Sequence, residues 1–111
     1  LLAFMGKEDR DRILASLQWQ RETANTLSSA EAIKAQLPDI EAANYAVDDE
    51  ENAIGLRCVA SVVFNEHGEP MAGLSVSGPT ARLTDARLPA LGAMVARIAG
   101  EVTAELGGRR P

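Results

Sequence analysis

Cys58, Ser75 and Ser77 are the side chains whose types and spacing most directly suggest binding chemistry. They fall in two apolar segments separated by Asn65-Glu66-His67-Gly68. On an extended chain successive side chains alternate sides. Leu56, Cys58, Ala60, Val62 and Phe64 therefore share one face, and Met71, Gly73, Ser75 and Ser77 share a face on the return strand. A two-residue turn at His67-Gly68, the tight hairpin that a glycine permits, sets Cys58 opposite Ser77 and Ala60 opposite Ser75. A four-residue turn over 65–68 sets Cys58 opposite Ser75 and keeps both sets on one face. Only a turn of odd length would part them. Leu56, Cys58, Ser75 and Ser77 are thus expected as one patch at the far end of the hairpin. A buried hydroxyl without a partner costs about 1–3 kcal/mol, so a small polar ligand is the occupant this patch suggests. Bonds to backbone or water are the ordinary alternative.

The other reactive side chains point elsewhere. Nine residues of strand at about 3.3 Å each put Cys58 and His67 on the order of 30 Å apart. They make no nucleophile and base pair, and His67 is assigned to the turn. The run Asp48-Asp49-Glu50-Glu51 has no His or Cys at ligand spacing. It reads as a solvated loop, with Asp48, nearest the strand end, as the acid placed to turn inward. No metal, no cofactor and no catalytic residue is expected. Arg57 and Arg82 could counter an anion, but Arg57 points away from Cys58 and is read as a surface residue.

The chain has 111 residues, enough for one domain, and a formal charge of −5. Nucleic-acid faces want clustered Lys and Arg, and the only dense basic cluster is Arg109-Arg110. No apolar run approaches the roughly 20 residues of a membrane span. One cysteine excludes an internal disulfide and suggests a reducing compartment. Leu1-Leu2-Ala3-Phe4-Met5 opens in mid-pattern, so the chain is expected to be a fragment of a longer protein.

These residues need a frame. A first helix is predicted over about 7–17, with Glu8 and Asp9 in its first turn and Ile13, Leu14 and Leu17 as its stripe. Trp19 follows in a polar linker. A second helix should begin near Ser28, with Ser28 and Glu31 spaced as a capping box. Pro38 should kink or end it, and Asn44 suits the left-handed stop. A short strand over 45–47 precedes the acidic run and the hairpin. The last helix should begin near Thr84, bury Leu88, Leu91, Val95, Ile98 and Val102, and stop at Gly107-Gly108. Two or three strands seldom stand alone, which argues for a wider sheet or for association between chains.

Three motifs in order carry a resemblance: 45–51 (YAVDDEE), 55–58 (GLRC) and 74–79 (LSVSGP). Together with Arg82-Leu83-Thr84 they resemble the effector-binding domain of IclR-family bacterial transcriptional regulators, over nearly the whole chain. The resemblance implies an α+β fold, a GAF-like or profilin-like antiparallel sheet flanked by helices. Residues 1–111 would be its C-terminal part, with the first part of the sensing domain and the N-terminal winged helix-turn-helix DNA-binding domain absent. It implies a cytoplasmic protein, dimeric or tetrameric, that represses genes of acetate use and the glyoxylate bypass. The effector would be a small oxoacid such as glyoxylate or pyruvate. The ligand contacts of the family map to Asp48, Leu56, Cys58, Ser75 and Ser77. Departures are Asn44 where a Gly is common, which a left-handed position tolerates, and Pro38 inside a helix.

Two rivals remain open from the residues. One is an enzyme acting on small oxoacids, for which Asp48 is the only base at hand. The other is a structural oligomerisation domain with the last helix as its interface.

Overall fold

The computed structural model describes residues 1–111. A short 3-10 turn at Leu2–Phe4 precedes α1 (Lys7–Ser16) and α2 (Ala30–Ala43). Strands β1 (Ala46–Asp49), β2 (Leu56–Phe64) and β3 (Pro70–Pro79) follow, and α3 (Leu88–Glu105) closes the order. The three strands form one antiparallel sheet in the order β1-β2-β3.

Helix α2 begins one residue later than its sequence suggests. Ser29, not Ser28, is the cap, and its hydroxyl accepts from the Ala32 amide at 3.1 Å. The helix also runs through Pro38 rather than stopping there. A mid-helix proline removes one backbone bond at a cost of about 3 kcal/mol. Burial of Leu37 and a firm stop offset this. Asn44 takes the left-handed conformation at φ 65°, and its amide donates to the Ile40 carbonyl.

Helix α3 starts at Leu88 instead of Thr84. The Arg87 and Leu88 amides both bond to the Thr84 carbonyl, so 84–87 is a separate turn. Pro89 then falls at the second helical position, where its missing N–H removes no helical bond. The buried seam is also rotated from the expected one. Gly92, Val95, Ala99 and Thr103 face the sheet, while Leu88, Leu91, Ile98 and Val102 are half-buried at its flanks. Small residues let the helix axis approach the strands. A Cβ on Gly92 would lie 2.5 Å from the Tyr45 ring. The expected stop holds: the Gly108 amide donates to the Thr103 carbonyl and the Gly107 amide to that of Ala104, with Gly107 at φ 72°.

The hairpin register is the one set by a two-residue turn, with Cys58 opposite Ser77 and Ala60 opposite Ser75. The turn itself is different. Phe64 pairs with Pro70, leaving a five-residue loop, and Val63 pairs with Ala72, so Met71 is an extra residue in β3. An odd loop and a one-residue bulge cancel in parity, which keeps both sets on one face. Asn65 builds the loop: its Oδ1 accepts from the His67 and Glu69 amides.

The sheet has one face against α3, holding Val59 (fully buried), Val63, Ser61 and Arg57. At one end of the other face lie the 3-10 turn and α2, where Phe4 meets Phe64 edge-on with centroids 5.2 Å apart. No helix is long and apolar enough to cross a membrane.

Candidate functional site

Strand pairing puts Asp48, Cys58 and Ser77 in one row across all three strands, Asp48 against Cys58 and Cys58 against Ser77. Ala46, Ala60 and Ser75 form the next row, and Leu56 pairs with Pro79 beyond the first. Alternation sends these side chains to the face away from α3. Asp48 and Cys58 are half-buried, and Cys58 is a free thiol. Leu56, Ser75 and Ser77 are exposed. The cost of burying unpartnered hydroxyls therefore does not operate on Ser75 and Ser77 here, because water reaches them.

Beside the row lies an open cleft of about 390 Å³. Asp48, Glu51, Asn52 and Cys58 line it from the sheet side, and Thr26 and Leu27 from the segment before α2. A second, largely apolar cleft of about 350 Å³ continues over the same face toward the 3-10 turn, bounded by Phe4, Leu37, Ala60 and Val62. The combination is a polar end and an apolar end on one sheet face.

The acidic run is not the freely solvated loop its composition suggests. Asp48 and Asp49 belong to β1, and the carboxylates close the turn on themselves. Asp48 Oδ1 accepts from the Glu51 amide at 2.9 Å, and Glu51 Oε2 accepts from the Asp49 amide at 2.9 Å. Glu50 sits at φ 56°, and its carboxylate accepts from the Gly55 amide at 2.7 Å. Burial raises the Glu51 pKa; the bond from the Asp49 amide opposes this, and the charges of Asp48 and Asp49 add to it. No group of three or more His, Cys, Asp or Glu is arranged to hold a metal ion.

Three residues that the sequence did not single out hold this turn. The Thr23 hydroxyl donates to the Glu50 carbonyl at 2.5 Å, and the Thr26 hydroxyl donates to that of Glu51. The Asn25 carboxamide donates to the Asp49 carbonyl at 3.0 Å. The signal available was a cluster of small polar residues, Thr23-Ala24-Asn25-Thr26, between two helices.

Arg57 is a correction. It does point away from Cys58, but it is buried at 8 % exposure rather than lying on the surface. Its Nε donates to Asp49 Oδ1 at 2.7 Å, its Nη1 to the Leu83 carbonyl at 2.9 Å, and its Nη2 pairs with Asp85 at 2.7 Å. It fastens the entry to α3 onto the back of the Asp48–Cys58 row and offers no charge to the cleft.

Comparison with known proteins places this geometry among relatives. The sequence model for "Bacterial transcriptional regulator IclR C-terminal" matches residues 1–104. The chain is 51% identical over 88 residues to the acetate operon repressor of Salmonella typhimurium, covering 79% of this chain and 32% of that protein. It is 42% identical to the transcriptional repressor IclR of Escherichia coli, covering 98% and 40%. The chain thus spans well under half the length of these curated relatives. Among solved structures, the C-terminal domain of E. coli KdgR superposes with a TM-score of 0.87 at 36% identity, covering 96% of this chain and 65% of that one. The Thermotoga maritima IclR structure gives 0.90 at 32% identity, covering 96% and 43%. These relatives are named as repressors and regulators.

Proposed function

The chain belongs to the IclR family of bacterial transcriptional regulators, and on that basis we propose that residues 1–111 are the C-terminal part of the effector-sensing domain of a cytoplasmic transcriptional repressor. In this reading a DNA-binding domain lies elsewhere in the intact regulator, which works as a dimer or tetramer. The effector is a small oxoacid of the glyoxylate or pyruvate type, and the regulated genes serve two-carbon metabolism. The likeness to an acetate operon repressor supports that choice.

The single observation that carries the site is the row Asp48–Cys58–Ser77, flanked by Ser75 and Leu56, on the sheet face that α3 leaves free. Ser75 and Ser77 donate hydroxyl hydrogen bonds to the effector carboxylate. Cys58 and Leu56 give the pocket its apolar wall. Asp48 repels a carboxylate and so takes the opposite end of the ligand, accepting from a hydroxyl or hydrated carbonyl. Occupancy changes DNA affinity only as far as the effector binds one state of the assembly better than the other.

The test is calorimetric titration of glyoxylate and of pyruvate into the intact regulator. Saturable binding of either acid supports the reading. No heat from either, with folded protein, removes the oxoacid assignment.

A further inference from the structure

Beyond Asp48, Cys58 and Ser77 the sheet floor continues along the strands toward the hairpin. The next row is Ala46, Ala60 and Ser75, and the one after it pairs Val62 with Gly73. Over β1 and β2 nothing longer than a methyl group rises from the floor at Ala46 and Ala60. These two alanines and Ile33 of α2 line both the polar cleft of about 390 Å³ and the apolar cleft of about 350 Å³. The two clefts are therefore one groove, joined over the alanines. Its far end is walled by Phe4, Leu37, Ile40 and Val62, of which Leu37 and Val62 are buried. Four residues of strand separate Cys58 from Val62, about 13 Å at about 3.3 Å per residue. A three-carbon acid on the row stops short of that end and leaves the apolar half of the groove empty.

We propose that the effector site extends from the Asp48–Cys58–Ser77 row over Ala46 and Ala60 into the apolar cleft, so that it takes 2-oxoacids carrying an aliphatic substituent more tightly than pyruvate. This inference rests on the effector reading above and names the ligand class more closely. The carboxylate stays on the β3 hydroxyls of Ser75 and Ser77, and the hydrated carbonyl stays toward Asp48 on β1. With both polar ends held across the strands, the remaining substituent leaves along β2. Over Ala60 it meets no obstacle, and past Ala60 it is taken out of water against Val62, Leu37 and Ile33. Each methylene buried there corresponds to about fourfold in affinity. Gly73 completes the floor of the apolar end. A Cβ at that position would meet nothing closer than 3.9 Å, so the fold has room for a larger residue there and the groove stays open only because it is a glycine.

The experiment is calorimetric titration of pyruvate, 2-oxobutyrate, 2-oxopentanoate and 2-oxohexanoate into the intact regulator and into its G73L variant. In the parent, affinity is expected to rise by about fourfold for each added methylene. The heat capacity change of binding should grow more negative along the series, as burial of apolar surface requires. G73L fills the apolar end and should flatten both trends. Its folding is checked by thermal unfolding, and the series in the parent tests the extension without any variant. An affinity that stays level or falls from pyruvate to 2-oxohexanoate shows that the apolar cleft is closed to the effector or filled by another part of the regulator. That result overturns the extension and leaves the oxoacid reading standing. A rise that is the same in folded G73L also overturns it, since the substituent then lies elsewhere. No binding of any acid by the parent overturns both.

Discussion

Arg57 Nε donates to Asp49 Oδ1 at 2.7 Å directly behind the pairing of Asp48 with Cys58. Each residue of this ion pair is the chain neighbour of a residue of the proposed site, so the two faces of the sheet are set by the same two strands. Asp85 and the Leu83 carbonyl complete the hold on Arg57 from the segment leading into α3. Removing the guanidinium leaves the buried Leu83 carbonyl without its donor, while water reaches the carboxylates of Asp49 and Asp85. Loss of that hydrogen bond, about 1 kcal/mol, is expected to lower the melting temperature of R57M by roughly 4–8 °C. R57K keeps a charge but loses the fork and should fall between the two. Thermal unfolding followed by circular dichroism decides it; an unchanged R57M would show that the clamp contributes nothing.

Ser77 tests the site without testing the fold. Its side chain is exposed, so S77A should change stability by no more than about 0.5 kcal/mol. Loss of one hydroxyl donor should weaken glyoxylate or pyruvate by about fivefold or more, corresponding to about 1 kcal/mol. Isothermal titration of parent and variant gives both numbers, and equal affinities would remove Ser77 from the pose.

Gly92 has a structural role that the sequence disguises as generic smallness. With a Cβ at 2.5 Å from Tyr45, G92A must push α3 from the sheet or turn the ring. Overpacking of this kind costs about 1–3 kcal/mol. Tyr45 immediately precedes β1, so displacement also disturbs the strand that carries Asp48. Denaturant unfolding should show the loss, and a midpoint equal to the parent's would show that the contact relaxes freely.

Glu51 sets a pH dependence with a definite sign. Its folded pKa lies above the ordinary 4.5, first because it is buried and then because Asp48 and Asp49 are near, against the opposing bond from the Asp49 amide. The folded state therefore holds a proton that the unfolded chain has released. Its contribution to stability is fully present below about pH 4.5 and is lost as pH rises through the raised folded value. E51Q keeps an acceptor for the Asp49 amide and carries no charge. Relative to E51Q, the parent should lose stability as pH rises from 4.5 toward neutrality. A parallel course of the two curves over that range would contradict this.

The sheet register was legible because alternation fixes which residues share a face, and a bulge in β3 cancels the difference in turn length. The sequence pointed to His67-Gly68 as the turn; the structure uses a five-residue loop and restores parity with an extra residue at Met71. Asn44 and Gly107 were legible as helix stops because left-handed positions have few suitable residues. The start of α3 was not, since Thr84 looks like a cap whether or not a helix follows, and only the tertiary turn over 84–87 separates the cases. The seam of α3 was misread because apolar spacing favours large residues, whereas close approach to the strands selected Gly92 and Ala99. Arg57 was misjudged for a related reason. Alternation gave its face correctly, but its burial depends on Asp85, 28 positions away, which no local pattern reports.

The central claim is that a small oxoacid sits on the Asp48–Cys58–Ser77 row, and Cys58 provides the direct probe because its free thiol is half-buried in the middle of that row. The measurement is the rate of Cys58 alkylation by iodoacetamide in the intact regulator, followed by mass spectrometry on the peptide that carries Cys58, with and without pyruvate at a concentration shown by calorimetry to saturate. A ligand on the row covers the half-buried thiol, and the account predicts modification slowed by about tenfold or more, with about fivefold more pyruvate needed in S77A to reach half of that slowing. An alkylation rate unchanged by saturating pyruvate would place the ligand elsewhere and contradict the account.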